Sequence, residues 1–141
     1  MKAIALYVGL AACASLTVML FAQSGSSTRK GVYTNDQAAQ GKAIYTQQCA
    51  MCHGATMAGS GQTPALAGPA FLRNWVGQTV GDLAGKLQAT MPATNPGSLK
   101  PDQVSELVAF ILKSNHYPAG NTRLPSNTAS LNNIHIEAPP R

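Results

Sequence analysis

Apolar positions along this chain fall into three patterns. The first is an almost unbroken apolar run from Ala3 to Ala22, preceded by Lys2. The second is helical. Val104, Leu107, Val108, Ile111 and Leu112 recur at i, i+3, i+4, i+7 and i+8, one apolar face of a helix with Pro101 in its first turn. This spacing predicts a helix from Pro101 to about Asn115, stopped by Pro118 and Gly120. Shorter stretches predict further helices. Thr34-Asn35-Asp36 offers caps for one running to about Gln48, with Ile44 and Tyr45 apolar and Gly41 in its middle. Thr79-Val80-Gly81-Asp82 reads as a capping box that opens a helix to about Thr90, with Leu83 and Leu87 at i, i+4. Met91-Pro92 ends it, because proline disfavours helix in the residue before it. Phe71 to Val76 reads as a short helical turn. The third pattern is one brief alternation, Leu131 to Ile136, inside a Pro/Asn/Ser-rich tail.

The segments between are polar or broken by Gly and Pro. Residues 23–34 read as a flexible Ser/Gly/Thr-rich linker, 54–70 and 92–100 as loops, and 119–141 as an irregular tail that wraps the surface. With no internal repeat, the prediction is one all-α domain of three or four helices over 35–118. Residues 1–22 form a separate unit, read first as a cleaved export signal. The apolar run is also long enough for an uncleaved membrane anchor. A third reading is a lipoprotein signal, with a lipid on Cys13. Each of the three sends the domain across the membrane.

Composition narrows the function. Only 11% of the 141 residues are charged and 6% are aromatic, so large apolar groups for a core are scarce. The net charge of +5 is scattered, without a basic run interleaved with aromatics, which argues against nucleic acid as a partner. Mild basicity fits docking against an acidic protein face and a solvated surface equally.

The chemistry concentrates at Cys49-Ala50-Met51-Cys52-His53, a C-x-x-C-H motif. Two thiols three positions apart on one helical turn can each add across a haem vinyl group, and the imidazole that follows faces the iron as its proximal ligand. A thioredoxin-like pair would follow a strand, whereas the residues before Cys49 read as helix. A zinc site needs four ligands, and no second C-x-x-C or H-x-x-x-H exists. A plain disulfide leaves His53 unexplained. A buried porphyrin would also supply much of the apolar area that the composition lacks.

For the sixth iron position, Met51 and Met57 are tied to the proximal side by their nearness to His53. Met91, at a helix end before a loop, can reach the opposite face, and its thioether is a soft ligand that raises the reduction potential. His116 is the alternative, and core filler is the ordinary role of any methionine. Gly41 costs its helix about 1 kcal/mol against Ala, so it marks either the close approach of another helix or a tolerated defect.

Together these features resemble a class I c-type cytochrome over residues 35–118, in particular the small monohaem domains that accompany periplasmic quinoprotein dehydrogenases. Gly41 and Tyr45 match the family's Gly-x-x-x-aromatic pattern, and Leu107 and Phe110 stand where the family's last helix crosses it. Thr63-Pro64-Ala65-Leu66-Ala67-Gly68 is similar to the loop whose proline carbonyl accepts the proximal imidazole's hydrogen bond. Met91-Pro92 with Asn95-Pro96-Gly97-Ser98-Leu99 is similar to the distal-ligand loop. Phe71, Arg73 and Trp75 sit where the family packs haem and contacts its propionates. The 38-residue spacing from His53 to Met91 is short for the class and implies a compact haem cover.

The resemblance implies one covalent haem c in an electron carrier, not an enzyme, located in the periplasm. Its expected partners are redox proteins, a dehydrogenase as donor and a terminal oxidase or another cytochrome as acceptor. Any membrane contact runs through the N-terminal segment alone. The alternatives are a dedicated subunit of one dehydrogenase complex, or an open-site haem enzyme or gas binder.

Overall fold

The computed structural model describes residues 25–141, so the signal, anchor and Cys13 readings of residues 1–22 lie outside the described residues. The element order is β1 (Ser26–Ser27), a 3-10 turn (Thr28–Lys30), α1 (Asn35–Gln48), α2 (Ala50–His53), α3 (Pro69–Trp75), α4 (Val80–Thr90), α5 (Pro101–Ser114), α6 (Thr128–Leu131) and β2 (Ile134–His135). Four helices have seven residues or more, and α2 and α6 are single turns. The described residues are all-α apart from the two-residue strands.

Capping explains where the main helices begin. The Thr34 hydroxyl accepts the Gln37 N–H at 3.2 Å and so opens α1. At α4, Thr79 and Asp82 form the reciprocal box expected of their spacing. Pro101 fills the first turn of α5, whose Val104, Leu107, Val108, Ile111 and Leu112 are all buried.

Helix α1 packs chiefly on α5. A Cβ placed on Gly41 would lie inside the Glu106 carbonyl, so this glycine marks a helix crossing and is not a defect. Beside it the Tyr45 and Phe110 rings meet at 5.5 Å and 59°. The Tyr45 hydroxyl donates to the Gly54 carbonyl at 2.6 Å, tying the crossing to the turn that follows His53.

The two segments expected to be loose are packed. Ser27, Thr28 and Tyr33 in the supposed linker are buried, as are Leu124, Leu131, Ile134 and Ile136 in the supposed irregular tail. Strands β1 and β2 pair in parallel, joining the two segments. Gly31 and Gly120 bring their backbones together where any Cβ would collide, and Gly120 N–H donates to Tyr33 O at 2.7 Å. The Gln37 amide, fully buried, donates to Leu124 O at 2.9 Å and accepts from Leu124 N–H at 2.8 Å. Each segment is polar and short of local periodicity. Its order comes from partners about a hundred residues away, which no local pattern records.

Candidate functional site

Cys49 ends α1: its N–H still bonds Tyr45 O at 2.9 Å, but its own φ of −124° leaves the helix. Its carbonyl then accepts from Cys52 N–H at 3.1 Å and His53 N–H at 2.9 Å, closing the tight turn of α2. This turn sorts its side chains. His53 points inward and is 6% exposed, Cys49 is half-buried, and Cys52 and Met51 face solvent. Burial pushes the Cys49 thiol above its ordinary pKa, and nearby Cys52 adds to the shift. Burial likewise pushes Tyr45 up to about 12, with a smaller effect from Cys49.

His53 Nδ1 lies 2.9 Å from the Pro64 carbonyl oxygen. A carbonyl can only accept, so Nδ1 carries the proton and Nε2 keeps its lone pair for a metal. The Pro64 loop is held in turn: Leu66 N–H donates to Met57 O at 2.8 Å, and Gly59 N–H donates to His53 O at 3.0 Å.

Beside His53 opens a cleft of about 270 Å³. Pro64, Ala65 and Leu66 line it next to His53; Asn74, Trp75 and Gln78 come from α3 and the turn after it. Leu83, Lys86, Leu87, Thr90 and Met91 come from α4 and its end. His53 and Met91 therefore share one mostly apolar space, a nitrogen donor and a sulfur donor suited to haem iron. With the paired thiols of Cys49 and Cys52 on the turn that presents His53, these residues fit a covalently attached haem.

The other sequence candidates fall as follows. Met57 is buried in the core and Met51 is 96% exposed, and neither lines the cleft. His116 is exposed beyond the end of α5 and also stays outside it. Trp75 lines the cleft and Phe71 packs behind it at 6.3 Å between rings. Arg73 is exposed and away from the lining, so the polar groups of the cleft are Asn74, Gln78, Lys86 and Thr90. Two of these were legible: Leu83, Lys86, Leu87 and Thr90 stand at i, i+3, i+4 and i+7, so the face that carries the two leucines carries Lys86 and Thr90 as well. Among the described residues no three His, Cys, Asp or Glu side chains gather, which leaves Cys49, Cys52 and His53 without partners for a tetrahedral zinc.

Residues 36–111, over half of the chain, match the family described as cytochrome C oxidase, cbb3-type, subunit III. The chain belongs to that family. It is a cytochrome c domain, an electron-transfer module whose family carries covalently bound haem c. No curated protein matches this cytochrome in sequence. Among solved structures it resembles the sulfane dehydrogenase SoxCD from Paracoccus pantotrophus, with 22% identity and a TM-score of 0.44. That likeness covers 62% of this cytochrome and 53% of the SoxCD chain, so the cytochrome spans about half of its length.

Proposed function

We propose that this protein is an exported monohaem cytochrome that carries single electrons between redox proteins. In this reading Cys49 and Cys52 would hold the haem by thioether bonds, and His53 and Met91 would ligate its iron. The carrying observation is the shared cleft of His53 and Met91, from which Met51, Met57 and His116 are absent. When bound, the haem supplies a one-electron iron couple. The chain's part would be to supply both iron ligands from residues fixed by the fold, which keeps rearrangement on electron transfer small. Pro64 orients the imidazole, while the apolar side chains of Leu83, Leu87 and Trp75 line the cleft and would keep water from the group it holds. No carboxylate stands among the cleft residues to serve as acid or base, which favours carrier over enzyme.

Donor and acceptor are proteins that dock at the surface around this cleft, a dehydrogenase on one side and an oxidase or second cytochrome on the other. The protein works in the periplasm, freed by signal cleavage or tethered by residues 1–22. No helix of the described residues is long and apolar enough to cross a membrane. The direct test is acid–acetone extraction of the denatured holoprotein, followed by a spectrum of the reduced form with and without carbon monoxide. Haem should stay with the polypeptide, and carbon monoxide should leave the spectrum unchanged. Free extraction would overturn the covalent attachment, and ready carbon monoxide binding would overturn the filled sixth position in favour of a gas binder or enzyme.

A further inference from the structure

Asn115 follows the last residue of α5 and is 2% exposed. Its Nδ2 donates to the carbonyls of Leu66 and Ile111, each at 2.9 Å, and its Oδ1 accepts the Gly68 N–H at 2.9 Å. The partners fix the amide's orientation, since the carbonyls can only accept and the N–H can only donate. The bond to Ile111 closes the end of the helix. The other two reach 47 and 49 residues back along the chain, into the loop that begins at Pro64. Helix capping does not account for them.

That loop carries the carbonyl which accepts the His53 Nδ1–H. Met57 O holds one side of it through the Leu66 and Ala67 amides. On the other side Asn115 is the side chain, among the described residues, that ties the loop to α5. We propose that Asn115 is a positioning residue for the proximal imidazole, fixing the Pro64–Gly68 loop and thereby helping to set the reduction potential of the iron. The inference rests on the reading of His53 as the proximal ligand. A carbonyl held against a ligating imidazole's N–H raises the basicity of the other ring nitrogen. A more basic ligand favours the oxidised iron. Releasing the loop therefore weakens this bond and raises the potential.

The test compares holoproteins carrying Asn115→Ala and Asn115→Leu with the wild type. Leu keeps roughly the size of the amide and adds no charge but loses both its donors and its acceptor, so it also serves should the cavity left by Ala yield no holoprotein. Both variants should show a higher potential. In the reduced, diamagnetic protein, the His53 Nδ1–H proton should exchange with solvent faster, read by NMR. Leu124→Ala, which removes a core contact at the Gln37 amide and leaves the loop's bonds in place, should melt lower without moving either quantity. If the Asn115 variants melt lower but keep the wild-type potential and exchange rate, Asn115 is a structural staple only and the inference is overturned. A wild-type spectrum lacking a histidine ligand would overturn the ligation reading itself, before any substitution is made.

Discussion

At the scale of single residues, three methionines of similar chemistry stand in three environments, and environment separates them. Met91 shares the cleft with His53, Met57 is 2% exposed in the core, and Met51 is 96% exposed. Met91→Ala should open the sixth position, giving high-spin character when oxidised and carbon monoxide binding when reduced. Met51→Ala should change nothing in the spectrum. Met57→Ala should keep the sulfur-to-iron absorption band while lowering stability by about 2–5 kcal/mol, the usual range for a buried methionine cut to alanine. A Met57 variant that lost the band while the Met91 variant kept it would reverse the assignment. In the sequence the C-x-x-C-H turn stands out by residue type at a fixed offset, Met91 by its place at a helix end before a loop, and Pro64 by the family resemblance. The structure brings Pro64 O to His53 Nδ1 and Met91 into the cleft of His53. Asn115 does not stand out. Its three bonds depend on where the loop folds back onto α5, and the sequence marks it only as a helix end.

At the scale of elements, helix starts were legible because caps are local, and the crossing of α1 and α5 was legible through Gly41 and its aromatic neighbours. The structure sharpens what Gly41 should do. Helix propensity alone would make Gly41→Ala stabilising by about 1 kcal/mol and leave Val close to neutral. An added Cβ, however, meets the Glu106 carbonyl, which is backbone and cannot turn aside. Overpacking of this kind costs about 1–3 kcal/mol. Ala should therefore lower the melting temperature of the holoprotein, and Val should lower it further. A rise with Ala would show that α1 and α5 stand farther apart than described. At α4 the sign of a pH effect follows from its cap. Hydrogen bonds from the Thr79 hydroxyl and N–H hold the Asp82 carboxyl below its usual range. A depressed carboxylate stabilises the fold above its unfolded pKa, about 3.9, and this contribution is lost as pH falls through the folded value. Asp82→Ala should thus melt below wild type at neutral pH, with the gap closing as the pH drops below about 4. A gap of constant size down to pH 2 would remove the charge from the explanation.

At the scale of the molecule, the two terminal segments form one strap, and the sequence hid it because neither half has a pattern of its own. The strap does more than cover the core. Gly77 N–H donates to Ile136 O at 2.9 Å, Ile136 N–H donates to Gln78 O at 2.8 Å, and Thr79 bridges His135. These bonds hold the junction of α3 and α4, where Trp75 and Gln78 line the cleft and from which α4 runs to Met91. Ile136 is fully buried at this junction, whereas Leu124 is buried at the Gln37 amide. Cutting either to alanine should cost about 2–5 kcal/mol, a large part of the roughly 5–15 kcal/mol that holds a small domain together. The two losses should differ at the iron. Ile136→Ala frees the start of the helix that delivers Met91, so the reduced variant should bind carbon monoxide measurably where the wild type does not. Leu124→Ala should lower the melting temperature comparably and, like the wild type, leave the reduced spectrum unchanged by carbon monoxide. The same response to carbon monoxide in the two variants would mean that the strap stabilises the whole fold without steadying the methionine side of the cleft.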